Sequence, residues 1–359
     1  MVSSNLNVPP PLSLKKSLEN SPVEASAPCR IDSGGTWDIK PFALPMAPVV
    51  PVTINLALTL RTKVALAPFT EGRVRISSHG FFHDEEYSAD TCRFDTPFGL
   101  FFAAVACFAC HGLEVHIRAA SPVKAALGGS STALIALIKA LSKATAHPGR
   151  RMLTRKEILH LGYHLEDSVS VGRCGIQDQA AAVYGGVNQW IWHYESTKRL
   201  FRRQPLLNRG GQREMSEHLL LAYSGTSHVS SRMNQAWMKN FLSGKTRAGW
   251  VKVNDVVRRL GPVIKKKAWE EAATLLREEM AVRREITPDA LIPITDQLIH
   301  QAENEGCGAR FTGAGAGGSV WALGEKARIT RLRKLWLNTL TPVKGACLLP
   351  CEVDPNGVR

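Results

Sequence analysis

Two stretches of this sequence combine glycine and hydroxyl residues in a way suited to holding phosphate. Leu127-Gly128-Gly129-Ser130-Ser131-Thr132 runs directly into an Ala/Leu/Ile-rich segment. Paired glycines let a ligand approach the backbone closely, and the free N–H groups of a following helix attract an anion. The hydroxyls of Ser130, Ser131 and Thr132 can meet phosphate oxygens or a magnesium ion. No Lys-Ser/Thr pair follows the glycines, so this is not a Walker loop; an ordinary capped helix start would use the same residues. Thr312 to Ser319 holds Gly313, Gly315, Gly317 and Gly318 ahead of an apolar strand. Each glycine costs conformational entropy, which points to close approach of a ligand rather than to a plain turn.

Two further stretches offer charge. In Gly175-Ile176-Gln177-Asp178-Gln179 a carboxylate beside a substrate hydroxyl could orient it and accept its proton during phosphoryl transfer. A helix-capping Asp is the plainer reading. Glu166 could share in holding a cation, or lie on a solvated helix face. Ala27-Pro28-Cys29-Arg30-Ile31-Asp32-Ser33-Gly34-Gly35-Thr36-Trp37-Asp38 reads as a short turn. It carries a guanidinium for phosphate and a carboxylate for sugar hydroxyls, with an Arg–Asp surface turn as the alternative.

These segments need elements to hold them. Residues 49–66 are dense in β-branched residues with polar alternation, which predicts a strand; 73–77 and 113–117 predict two more. Helices are expected over 98–111, 132–146 and 154–168, the last opened by a Thr154/Glu157 capping box. A Gly-rich joint at 208–212 separates the halves. Beyond it come a strand over 218–223, helices over 233–242, 250–260, 268–285 and 289–305, and a strand over 319–323. Without regular βαβ alternation, the order favours an α+β fold. Residues 1–24, rich in Ser, Asn and Pro, predict a disordered tail.

The composition narrows the class. A chain of 359 residues is long enough for two domains at about 150 residues each. Lys plus Arg outnumber Asp plus Glu by 45 to 31, which favours anionic partners. The basic runs Arg202-Arg203, Lys265-Lys266-Lys267, Arg283-Arg284 and 331–334 are dispersed, without an aromatic-rich recognition module, and read as solvated helix faces. The eight cysteines form no disulfide framework; Cys107 and Cys110 lack the partners of a zinc site and read as reduced core thiols. No signal peptide is visible, and the longest apolar run falls short of the roughly 20 residues that span a bilayer. The expected location is cytoplasmic.

Taken in chain order, these motifs resemble the galactokinase, homoserine kinase, mevalonate kinase and phosphomevalonate kinase (GHMP) superfamily. The likeness spans about residues 25–325 and is greatest to the heptose 7-phosphate kinase and fucokinase-like sugar kinases. It rests on Gly34-Gly35, Gln177-Asp178-Gln179 and the strand end from Tyr223. Ala126 stands where the family has glycine, Lys124 adds a charge to the loop, and His228 stands where the sugar kinases have Arg. The resemblance implies a ribosomal-protein-S5-like N-terminal domain over 25–205 and a ferredoxin-like C-terminal domain over 206–359. ATP would lie between them. It implies Asp178 and Arg30 as the catalytic residues. Asp38, Gly34, Gly35, Gln177 and Tyr223 would bind the substrate. Lys124, Leu127, Gly128, Gly129, Ser130, Ser131, Thr132, Gly313, Gly315 and Gly317 would bind ATP. Ser130 and Glu166 would hold Mg²⁺. The implied reaction is ATP-dependent phosphorylation of the anomeric hydroxyl of a sugar or sugar phosphate. A mevalonate- or homoserine-like alcohol and a non-catalytic sugar- or nucleotide-binding role are the alternatives. ATP and the small-molecule acceptor are the expected partners, with neither nucleic acid nor membrane; a homo-oligomer is left open.

Overall fold

The computed structural model describes residues 11–359 apart from 36, 82, 173, 195, 197–199 and 228–229. The side chains of 230–232 are also outside the description. His228 and Thr36 therefore fall outside the described residues, as do residues 1–10 of the expected tail. From Leu12 onward the tail is folded. Strand β1 (Leu12–Ser13) leads into helix α1 (Lys15–Asn20), and Leu14 and Leu18, one turn apart, are buried in the core. An apolar pair at this spacing gives even a short helix a face to bury.

The first half is built on one mixed sheet. Its first strands are β2 (Val23–Ser33) and β3 (Val52–Pro68), with a short helix α2 (Lys40–Ala43) between them, followed by β4 (Arg73–Ser78) and β5 (Glu85–Ser88). Helix α3 (Gly99–Cys107) and strands β6 (Cys110–His111) and β7 (Leu113–Ala119) follow. Three helices come next: α4 (Gly129–Ala144), α5 (Arg155–Val169) and α6 (Gln177–Tyr184). Strands β8 (Val187–Trp192) and β9 (Phe201–Pro205) close the half. The order is β5-β4-β7-β3-β8-β9, with β2 pairing along β3. Residues 27–33, expected as part of a turn, thus belong to the eleven-residue strand Val23–Ser33. Its pairing runs from Val23↔Leu66 to Ser33↔Ile54, with a bulge between Pro28 and Cys29. Proline in a strand is tolerated at such an irregularity.

Strand β3 was expected to alternate between buried and exposed, yet it is buried along nearly its whole length. The reason is its central place: α4 and α6 pack on it, and so do α1 and a helix from the second half. Helix α4, apolar from Ala133 to Ile138, lies across β2 and β3 and is buried from Ser131 to Leu141 except at Lys139.

The second half begins with α7 (Arg209–Glu217), so the Gly-rich joint is largely a helix, capped by the Asn208 side chain. Next come β10 (Leu219–Tyr223), α8 (Ser230–Leu242), α9 (Arg247–Lys266), α10 (Trp269–Ile286) and α11 (Pro293–Asn304). Strands β11 (Gly308–Phe311) and β12 (Ser319–Leu323), helix α12 (Lys326–Leu340) and strand β13 (Cys347–Leu348) complete it. The sheet is antiparallel in the order β11-β12-β10-β13. The chain end then returns to the first sheet. Ser26 and Arg359 exchange backbone hydrogen bonds, and Arg61 pairs with the buried Asp354.

An aromatic cluster joins the halves. Trp37 and Phe42 pack edge-on against Trp250 of α9, and both contact Phe241 of α8. This fixes the segment that carries Asp38. The eight cysteines are free thiols; Cys29, Cys110 and Cys307 are buried, but Cys107 and Cys347 are exposed, so the expectation of core thiols holds only in part.

Candidate active site

A cleft of about 510 Å³ opens between the two halves. Its floor is set by the start of two helices. Gly128 caps α4 in the left-handed region (φ +74°), and a side chain there would meet the Asp178 carboxylate at 3.2 Å. Asp178 lies in the first turn of α6, not at its cap, which is Ile176. The two helix N-termini therefore converge, and their free N–H groups favour negative charge at that point.

Arg30, on β2, spans the convergence. Its Nε and Nη2 donate to the two carboxylate oxygens of Asp178 at 2.7 and 3.0 Å, a bidentate pair. Its Nη1 donates to the Ala126 carbonyl at 2.8 Å. Burial opposes the Arg30 charge, but Asp178 and Asp32 hold the guanidinium firmly protonated. In the loop above, Lys124 and Ala126 adopt φ +57° and +61°. The loop thus keeps a left-handed backbone at these two positions without glycine, at some cost in strain.

Asp38 faces the same cleft. It is 1% exposed, and its Oδ2 accepts from the Gln177 backbone N–H at 2.9 Å. Its Oδ1, like the side-chain oxygens of Gln177 and Gln179, has no hydrogen-bond partner among the described residues. Burial, reinforced by the Asp178 charge, pushes the Asp38 carboxyl up to about 7. Tyr194 donates to its backbone carbonyl and fixes the residue from behind.

Glu166, near the end of α5, receives Ser130 Oγ at 3.2 Å and Gln179 Nε2 at 2.6 Å. Withdrawal from water pushes it up to about 7 as well, with Ser131, Gln179 and Ser130 partly offsetting the effect. The Glu166 carboxylate and the Ser130 hydroxyl together make an all-oxygen donor set. It suits Mg²⁺, which takes one or two protein oxygens and completes its shell with phosphate and water. Cys174 lines the cleft beside them, 3.3 Å from Gln179 Nε2.

Of the residues expected in the site, the cleft brings together Arg30, Asp38, Lys124, Leu127, Gly128, Gly129, Ser130, Ser131, Glu166, Gln177, Asp178 and Gly313. Six others lie elsewhere. The Gly34 N–H donates to Glu279, and Gly35 sits against Asp32. The Thr132 hydroxyl turns back to the Gly128 carbonyl. Tyr223 is buried at the end of β10, paired with Ser319 and Cys347. A side chain at Gly315 would strike the Ala290 carbonyl at 2.4 Å, and one at Gly317 the Thr226 carbonyl at 3.0 Å. Close approach does explain these two glycines, but the approaching groups are neighbouring protein loops.

The structure also reveals partners that sequence patterns left unassigned. Beneath the cleft lies a buried cluster of Asp32, Glu279, Arg283 and Arg310. Arg310 pairs with Asp32 at 2.7 Å and approaches Glu279 at 3.5 Å. Arg283, expected on a solvated helix face, is fully buried. Its guanidinium lies 4.3–5.2 Å from the ring centres of Trp250, Trp237 and Phe311. Only the i, i+2 spacing of Arg30 and Asp32 could have signalled part of this cluster, since it puts both on one face of a strand.

Comparison with known proteins places this geometry. Residues 99–186 match the model of the GHMP kinases N-terminal domain, and residues 262–336 that of the GHMP kinases C-terminal domain. A mevalonate kinase from Pyrococcus horikoshii is 26% identical over 331 residues, covering 85% of this chain and 90% of its own. Among solved structures, a D-glycero-D-manno-heptose 1-phosphate kinase from Bacteriodes thetaiotaomicron aligns with TM-score 0.70 at 18% identity. It covers 94% of this chain and 98% of its own. A Lactococcus lactis galactokinase complexed with galactose aligns with TM-score 0.71 at 16% identity, covering 96% and 98%. The two-domain α+β architecture is shared with both. With both halves matched in order, the chain belongs to the GHMP kinase family, whose members are ATP-dependent phosphotransferases.

Proposed function

We propose that this protein transfers the γ-phosphoryl group of ATP to a hydroxyl of a sugar or sugar phosphate, with the anomeric hydroxyl as acceptor. The observation that carries this reading is the meeting of three groups in one cleft: the Arg30–Asp178 pair, the N-terminus of α4 and the buried carboxylate of Asp38. The α4 N–H groups and the Ser130 and Ser131 hydroxyls are suited to the triphosphate. Ser130 and Glu166 would hold Mg²⁺, which neutralises phosphate charge as the transfer proceeds.

Asp178 orients the acceptor hydroxyl and takes its proton as the new O–P bond forms and the bond to the ADP oxygen breaks. A carboxylate paired with a guanidinium is a weak base, which suits a loose transition state in which the proton leaves late. Arg30 offsets the negative charge gathered at this point. Asp38 accepts hydrogen bonds from the other hydroxyls of the acceptor. That feature favours a polyol over a mevalonate- or homoserine-like acid, whose carboxylate the ionised Asp38 would repel. The mevalonate kinase relative motivates this second reading.

The test is ADP release with Mg·ATP across free and phosphorylated sugars, mevalonate and homoserine, with Asp178→Asn alongside. A sugar-dependent rate that falls about 10³-fold in Asp178→Asn, with ADP binding retained, is expected. Turnover of mevalonate but of no sugar would establish the second reading. A variant with wild-type rate would remove Asp178 from its role.

A further inference from the structure

We infer that Asp32 and Arg310, neither of which lines the cleft, are positioning residues that hold Arg30 in the orientation phosphoryl transfer needs; this rests on the kinase reading above. Arg30 and Asp32 lie two residues apart on β2, so their side chains share one face. Arg30 Nη1, which donates to the Ala126 carbonyl of the phosphate-side loop, is 3.6 Å from Asp32 Oδ1. The same Oδ1 accepts from the Gly313 backbone N–H at 2.9 Å. One carboxylate therefore ties together the cation at the reaction centre and the glycine loop of the second half.

Arg310 makes that carboxylate possible. Asp32 is fully buried, and an isolated charge there would be strongly disfavoured. Arg310 Nη1 donates to Asp32 Oδ2 at 2.7 Å and to its backbone carbonyl, to which Trp321 Nε1 also donates. Arg310 comes from β11, in the other half of the molecule, and its Nε lies 3.5 Å from Glu279 of α10. Burial works against the Asp32 charge, yet Arg310 and Arg30 hold its carboxyl below the ordinary range. Without Asp32, the guanidinium groups of Arg30 and Arg310 would repel each other across the gap. Arg30 could then turn its fork away from Ala126 while still contacting Asp178. A misplacement of this size lowers a rate without abolishing ligand binding.

Ser33 provides an internal control. Its hydroxyl donates to Glu279 Oε2 at 2.5 Å within the same buried cluster, but it is one residue on from Asp32 along β2 and so projects from the opposite face of the strand to Arg30. The experiment compares the wild type with Asp32→Asn, Arg310→Lys and Ser33→Ala. It measures kcat with the best acceptor, KM for Mg·ATP, ADP affinity by calorimetry and Tm. Asp32→Asn should lower kcat about 10²-fold, and Arg310→Lys about tenfold because its single amine cannot serve both carboxylates. ADP affinity should stay within about threefold in each. Ser33→Ala should lower Tm and leave kcat unchanged. Wild-type kcat in Asp32→Asn or Arg310→Lys would overturn the inference. So would parallel losses of kcat in all three, which would mark a general packing effect. Should Asp32→Asn fail to fold, Arg310→Lys decides alone. A wild type that phosphorylates no acceptor would instead overturn the kinase reading, and the inference with it.

Discussion

A carboxyl held near neutrality ties pH to both stability and acceptor binding at a single residue. Asp38 sits at about 7 through burial, against an unfolded value near 4. Between these values the folded protein keeps a proton that the unfolded chain has released, so stability falls as pH rises through the window. Glu166 contributes with the same sign. Asp38→Asn should therefore narrow the drop in Tm between pH 5 and pH 8, its share being of the order of a few kcal/mol. The same variant should raise acceptor KM and remove any improvement in KM as pH rises past 7. An unchanged Tm profile would mean that Asp38 is ionised throughout. At this scale the sequence was informative where chemistry is local. Arg30, Asp178 and Ser130 stand out as charged or hydroxyl residues within four positions of a glycine, and the fold brings all three to one cleft. Arg283 was not: beside Arg284 in a charged helix, nothing distinguishes a guanidinium enclosed by Trp237 and Trp250 from one facing water.

Among the elements, helix termini separate positioning from stability. Gly128 caps α4 in a conformation that costs an L-residue about 1–2 kcal/mol, and its missing side chain leaves room for the Asp178 carboxylate. Gly128→Ala should thus lower kcat about 10²-fold or more, with only a modest loss in Tm. The Thr154 hydroxyl and the Glu157 side chain close a capping box at the start of α5, at the opposite end from Glu166. Thr154→Ala should cost about 1 kcal/mol in urea unfolding and leave kcat intact. Equal catalytic losses in the two variants would show that α5 and α4 move as one unit. The capping box was legible because Thr, Glu and their three-residue spacing are its whole mechanism. Strand β2 was not legible. Pro28 and the glycines after Ser33 mimic a turn, and only its long pairing with β3 and cover by α4 make it a strand. The 312–319 loop reads as a place where a ligand comes close, yet at Gly315 and Gly317 the groups that come close are the Ala290 and Thr226 carbonyls, a tertiary fact that its own residues do not encode.

For the molecule as a whole, the junction between halves is where charge and packing compete. The two-lobed α+β plan was legible from the order of motifs, whereas the ionic cluster beneath the cleft draws on β2, α10 and β11 and has no local signature. Its two buried arginines should behave in opposite ways. Arg310 answers both Asp32 and Glu279, so Arg310→Met would leave buried carboxylates without their partner, at a cost of about 3–5 kcal/mol. Spread over an unfolding entropy of about 2 cal/mol/K per residue, that lowers Tm by roughly 4–7 °C. Arg283 has none of its guanidinium nitrogens hydrogen-bonded among the described residues, and burial together with the nearby Arg310 disfavours its charge. Its favourable contacts are the ring faces of Trp237, Trp250 and Phe311, each worth about 2 kcal/mol in a desolvated site. Burying the ion costs several kcal/mol, so the two effects nearly cancel. A methionine of similar length keeps the ring contacts and avoids the desolvation. Arg283→Met should therefore leave Tm within about 2 °C of the wild type or raise it. A loss as large as that of Arg310→Met would show that the Arg283 charge, through its attraction to Glu279 and Asp32, is needed to hold the two halves together.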